Sequence, residues 1–187
     1  APLWPARRPL AFLETHQKNA YAWASLWQGD PRPRGGSVFR DPTRYLVLPA
    51  EGYTRAWGLD LAYSSKTSSD WSICLEILQV GSDPRTALYY VAGVIRFQGP
   101  APKFGAMVAH AREGKGGRVV WYAAGPEKGT ADYMEQAGVP VEVWAATADK
   151  FTRAIGVSAA WNDGRVMVPD SAPWLPEFLD VVCGFTG

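Results

Sequence analysis

Two cysteines, two histidines and no long apolar run are the first limits this sequence of 187 residues sets. Cys74 and Cys183 lack the spacing of a metal knuckle, and Cys74 lies in an apolar strand-like run, so a buried inert thiol is expected and a reducing cytoplasm suits it. His16 and His110 fall on separate helix-like stretches without neighbouring ligands, and neither is given a catalytic role. No stretch approaches the roughly 20 apolar residues needed to span a bilayer, and Ala1-Pro2-Leu3-Trp4-Pro5 is followed at once by Arg7 and Arg8, so neither membrane insertion nor a secretory leader is expected. A glycine-rich phosphate loop is missing too, which argues against a nucleotide-hydrolysing motor site. No internal repeat or long low-complexity tract is visible.

What is present suits a globular chain: 47% hydrophobic and 20% charged residues, enough for one core or one core with an appendage. The net charge is only +1, but its distribution is uneven. Residues 1–44 carry seven basic and three acidic side chains, residues 45–187 carry 12 and 15, so a basic arm precedes an acidic body. Pro9 to about Gln28 reads as one amphipathic helix through Leu10, Leu13, Ala20, Tyr21, Ala24 and Trp27, and the Pro- and Gly-rich stretch from Asp30 to Gly36 as a linker. The compact domain should begin near Phe39 to Tyr45.

Three strand-like runs follow, Ala56–Tyr63, Trp71–Val80 and Leu88–Phe97, spaced as an antiparallel meander. Helix and strand then alternate: a helix at Pro102–Arg112, a strand at Arg118–Ala123, a helix at Thr130–Ala137 and a strand at Val141–Trp144. A helix at Asp149–Ala160, a strand at Arg165–Val168 and a helix at Pro173–Val182 complete the chain. This order defines an α/β class with a mixed sheet and helices packed over it.

Asp60 interrupts the first apolar run. A carboxylate buried there needs a cation, a metal or several donors, and Mg²⁺ binds through one or two carboxylates while keeping waters. The alternative is a solvent-facing Asp on an edge strand with Leu59 and Leu61 inward, and alternation by itself leaves both open. Asp70 starts the second strand, where it either caps a turn or lies near the metal, and Lys66 in the Ser-rich tip could meet a phosphate. Glu127 and Lys128 occupy a loop leaving a strand and entering a helix, a place where α/β folds collect site residues. Lys150 and Arg153, three apart at a helix start, could converge on one phosphodiester or form an ordinary solvated face.

Leu3-Trp4-Pro5, Trp23-Ala24-Ser25-Leu26-Trp27-Gln28-Gly29-Asp30-Pro31 and Gly35-Gly36-Ser37-Val38-Phe39 resemble the stretch that leaves the ATPase domain in large terminase subunits of tailed phages. Gly58-Leu59-Asp60-Leu61-Ala62 with Ser69-Asp70-Trp71-Ser72 resembles the first nuclease strand of that family, and similar pieces follow in order to Phe185. The resemblance implies an RNase H-like nuclease domain at 37–187, preceded at 1–36 by a helical remnant of the ATPase connection. It implies cleavage of concatemeric double-stranded viral DNA with little sequence specificity, using two ions of Mg²⁺ or Mn²⁺. Asp60 matches the first-strand metal ligand. The second acidic ligand of the family falls at or just beyond Tyr122-Ala123-Ala124; alanine binds no metal, and Glu127 is the nearest substitute. The last catalytic carboxylates of the family would come just after Gly187, so a truncated domain is expected. The resemblance further implies the ATPase domain, small terminase subunit and portal as partners and the cytoplasm of a bacterial host as the location. Two rivals stand beside it: a DNA-binding or docking module with a decayed acidic site, and an actin-like phosphotransferase.

Overall fold

In a computed structural model, residues 38–62, 71–123 and 131–185 are described. The elements are β1 (Thr43–Tyr45), β2 (Tyr53–Asp60), β3 (Ser72–Val80), β4 (Leu88–Phe97), α1 (Ala101–Arg112), β5 (Arg118–Ala123), α2 (Ala131–Gln136), β6 (Glu142–Ala145), α3 (Lys150–Asn162), β7 (Val166–Pro169) and α4 (Leu175–Cys183). They build one seven-stranded sheet ordered β1-β7-β4-β3-β2-β5-β6. Only β3 runs against its neighbours; the other pairings are parallel. The expected meander and the alternation after it are both present. The segment 1–36, Lys66, Asp70, Glu127 and Lys128 lie outside the described residues.

Side-chain alternation gives the sheet two cores. Trp57, Leu59, Leu61, Cys74, Val119 and Trp121 face α1 and α2, where Phe104, Val108 and Met134 close over them. On the other face, Val91, Val166 and Val168 pack against Trp161 of α3 and Leu175 of α4, joined by Phe39. The Trp161 indole donates to the Arg40 carbonyl at 2.8 Å, and Asn162 exchanges hydrogen bonds with the Arg40 amide and the Val38 carbonyl. This clasp holds the chain beside β7 and lets β1 pair there, Thr43 opposite Met167. No local sequence signal marks β1, which is three residues long and largely exposed, and whose partner is over 120 residues away. The first meander strand begins three residues earlier than expected, because Tyr53, Thr54 and Arg55 find partners in Val80, Gln79 and Leu78.

Cys74 is buried as expected, and burial pushes its thiol up to about 12, with Arg112 opposing the shift and Glu76 adding to it. At pH 8 a thiol of that pKa is ionised to only about one part in ten thousand. A thiol reagent added to the native protein should therefore label the half-buried Cys183 and spare Cys74 until denaturant is present; labelling of Cys74 in the fold at a comparable rate would contradict this packing.

The turn into β5 depends on glycine. Gly117 has φ +95°, and a β-carbon there would stand 2.7 Å from the Arg55 carbonyl oxygen. Gly117→Ala meets a backbone strain and a clash at once, and a loss of roughly 1–3 kcal/mol in denaturant unfolding is expected.

Candidate active site at the carboxyl end of the sheet

The burial of Leu59 and Leu61 against the first core sends Asp60 to the opposite face, where it is exposed at the last position of β2. The strand is not an edge strand: β2 is fifth of seven, between β3 and β5. The solvent-facing orientation thus occurs, but on an interior strand at its carboxyl end, where parallel α/β sheets place their ligands. Among the described residues the Asp60 carboxylate has no ion pair.

Of the other candidates, Lys66, Asp70, Glu127 and Lys128 lie outside the described residues, and only their order in the chain relates them to this edge. The segment 61–71, containing Lys66 and Asp70, joins the end of β2 to the start of β3. The segment with Glu127 and Lys128 leaves the end of β5, next to β2 and parallel to it. Beyond β6, parallel to β5, comes the start of α3 with Lys150 and Arg153. Asp149 caps that helix, accepting the Thr152 amide and hydroxyl at 2.8 Å each, and these bonds hold its carboxyl below the usual range. The two cations expected to act together differ here: Lys150 is exposed, whereas the Arg153 guanidinium turns back to donate to the Ala148 carbonyl at 2.6 Å.

Beside Asp60 a groove of about 230 Å³ runs between the sheet and α4, with Ile73, Leu75, Val94 and Phe178 in its apolar lining. Arg96 and Glu177 form an ion pair on it, and the Arg96 guanidinium lies 3.6 Å from the centre of the Trp71 ring. Arg96 and Glu177 were not among the sequence candidates; one sits in a strand, the other in a helix, and only the sheet register and α4 docking join them to Asp60. Among the described residues no group of three His, Cys, Asp or Glu side chains could hold a metal ion. Asp60 supplies one carboxylate, without an ion pair among the described residues, with the hard oxygen donors suited to Mg²⁺ or Mn²⁺, while Glu177 is occupied by Arg96.

No protein-family model and no curated protein matches the sequence. Solved structures do. The large terminase nuclease of thermophilic phage G20c with bound magnesium is similar at TM-score 0.57 and 16% identity, over 82% of this chain and 82% of that one. The same nuclease with bound cobalt gives 0.54, again at 16% identity and over 82% of each chain. The large terminase of a second thermophilic bacteriophage matches at 0.53 and 12% identity, over 88% of this chain; that overlap spans 42% of the longer terminase. The described residues therefore have the RNase H-like fold of large terminase nuclease domains, as the sequence resemblance implied. No helix among the described residues is long and apolar enough to cross a membrane.

Proposed function

We propose that the chain is the nuclease domain of a viral DNA-packaging terminase, cutting concatemeric double-stranded DNA with little sequence specificity. The observation that carries this reading is the exposed Asp60 carboxylate at the carboxyl end of an interior strand, in a fold shared with nucleases solved with magnesium and cobalt. Asp60 would hold Mg²⁺ or Mn²⁺, two ions being expected, with Glu127 as second ligand and Asp70 nearby. When bound, such ions lower the pKa of water and neutralise charge on phosphate and leaving oxygen. The chain's own part is to present the Asp60 carboxylate for the cations beside the scissile phosphate, with Lys66, Lys128 and Lys150 contacting backbone oxygens and so fixing position without reading bases. Arg153, bonded to Ala148, would shape the start of α3 under Lys150. The ATPase domain of the same subunit is the expected neighbour in the chain, with the small subunit and portal as further partners in a bacterial cytoplasm.

One observation favours the rival binding module. Ala123, near the position where the family resemblance puts its second acid, is apolar and 1% exposed. Incubating the full-length protein with supercoiled plasmid and Mn²⁺, Mg²⁺ or EDTA separates the two. Metal-dependent nicking, with Mn²⁺ binding in calorimetry, supports the nuclease. Salt-sensitive plasmid binding without nicking selects the module.

A further inference from the structure

A single row of side chains crosses one face of the sheet on both sides of Asp60. Arg96 of β4 lies opposite Ile73 of β3, and Ile73 opposite Asp60 of β2. The register of Leu59 with Trp121 continues the row from Asp60 to Tyr122 of β5, and Tyr122 pairs with Trp144 of β6. Because Leu59, Trp121 and Ala123 point into the core under α1 and α2, Asp60, Tyr122 and Trp144 share the other face. Strands lie about 4.8 Å apart, so the two rings begin one spacing from Asp60 and end about 10 Å away.

Both rings are exposed, Tyr122 at 47% and Trp144 at 44%. Their arrangement is nevertheless fixed. The rings meet edge to face at 5.4 Å and 77°, and the Arg118 guanidinium lies 5.7 Å from the Trp144 ring centre. Arg118 is itself held by two hydrogen bonds to Glu142, at 3.0 and 2.7 Å. Aromatic side chains held in this way present a large apolar area while losing little further rotamer entropy on binding.

The chemistry of this face selects its occupant. Glu142 neutralises Arg118, the cation against the Trp144 ring, so what this pair of strands itself presents is ring surface rather than charge, whereas the bases of an intact duplex are already stacked on one another. An unpaired base has a free π-face, and an aromatic platform accepts any base without reading sequence. We propose that Tyr122 and Trp144 form a stacking platform for unpaired bases of the DNA strand whose scissile phosphate lies beside Asp60. The proposal rests on the nuclease reading of Asp60 and assigns that site a strand with locally opened bases.

Fluorescence anisotropy of a labelled oligothymidylate, compared with a hairpin duplex and measured in EDTA so that cleavage plays no part, tests it. Trp144→Ala and Tyr122→Ala should each weaken single-strand binding about tenfold and change duplex binding less than about twofold, with Trp144→Phe close to wild type. The slope of affinity against salt should not move, since no phosphate contact is lost. Unchanged single-strand affinity in both alanine variants, an equal loss on the duplex, or no single-strand binding by the wild type overturns the platform. Self-association in sedimentation that disappears in Trp144→Ala while oligonucleotide binding persists unchanged assigns the face to a second copy of the chain and overturns it as well. Failure of the nuclease reading looks different: ring-dependent single-strand binding would remain while no metal-dependent nicking is seen.

Discussion

Asp60→Asn is expected to reduce metal-dependent nicking of plasmid by about two orders of magnitude, the scale seen when one group stabilising transition-state charge is lost. The amide keeps the shape of the side chain but removes the negative charge, and a neutral amide oxygen is a poorer ligand for a hard divalent cation. Stability should not follow activity. The Asp60 side chain is exposed and has no ion pair among the described residues, so the melting temperature of the variant should match wild type within about a degree, as surface substitutions away from networks usually do. The calorimetric Mn²⁺ signal should fall together with cleavage. Nicking at wild-type rate in Asp60→Asn would move the active centre away from β2 and remove the main support for the nuclease reading.

Glu76→Ala is expected to show the opposite pattern, with a large loss of stability at a site remote from the chemistry. Glu76 is one of few buried charged residues among those described, at 6% exposure. Its Oε2 accepts a hydrogen bond from Lys115 Nζ at 2.8 Å, and Arg55 Nε lies 2.9 Å from Oε1, off the line of a hydrogen bond and so an ionic contact. Arg55 also donates to the Lys115 carbonyl at 2.6 Å, which ties β2 to the turn before β5. Room for the carboxylate comes from Gly93, opposite Glu76 on β4, where a β-carbon would approach Oε2 to 3.3 Å. Truncation leaves two cations facing each other, one of them largely desolvated. Breaking such a buried cluster costs about 3 kcal/mol or somewhat more, given that Lys115 is partly in water. For a chain of this size that lowers the melting temperature by roughly 10 °C. Glu76→Gln, which keeps an acceptor for Lys115, should fall between. A calorimetric scan of Glu76→Ala within about 2 °C of wild type would show that the cluster is incidental to the fold. The exposed Arg118–Glu142 pair provides the contrast, since opening it should barely move the transition.

The two predictions differ for a reason that also governs what could be read ahead of the structure. Glu76 stood in the sequence as one polar residue in an apolar strand, as Asp60 did, and local pattern treats them alike. The partners of Glu76 are Arg55, 21 residues before it, and Lys115, 39 residues after it, and only folding brings them together. The neighbours of Asp60 in its row, Arg96, Tyr122 and Trp144, lie on three other strands. Of the predicted cation pair at the start of α3, spacing correctly placed both residues on one helix, but the route of the Arg153 side chain to Ala148 depends on the preceding loop.

Hydrophobic alternation and turn residues by themselves determined most elements, including β4 at Leu88–Phe97 and β5 at Arg118–Ala123 to the residue, because those signals are local and repeat within a few positions. They also determined that Cys74 would be buried and that Asp60 would stand in the first strand of the meander, though that strand ends at Asp60 instead of running on to Tyr63. Tertiary structure decided the strand order, the pairing of β1 with β7, the exposure of Asp60 at an interior strand end, and the aromatic row beside it. Each of these depends on register between segments tens of residues apart, and a shift of one residue would turn every side chain of a strand to the other face.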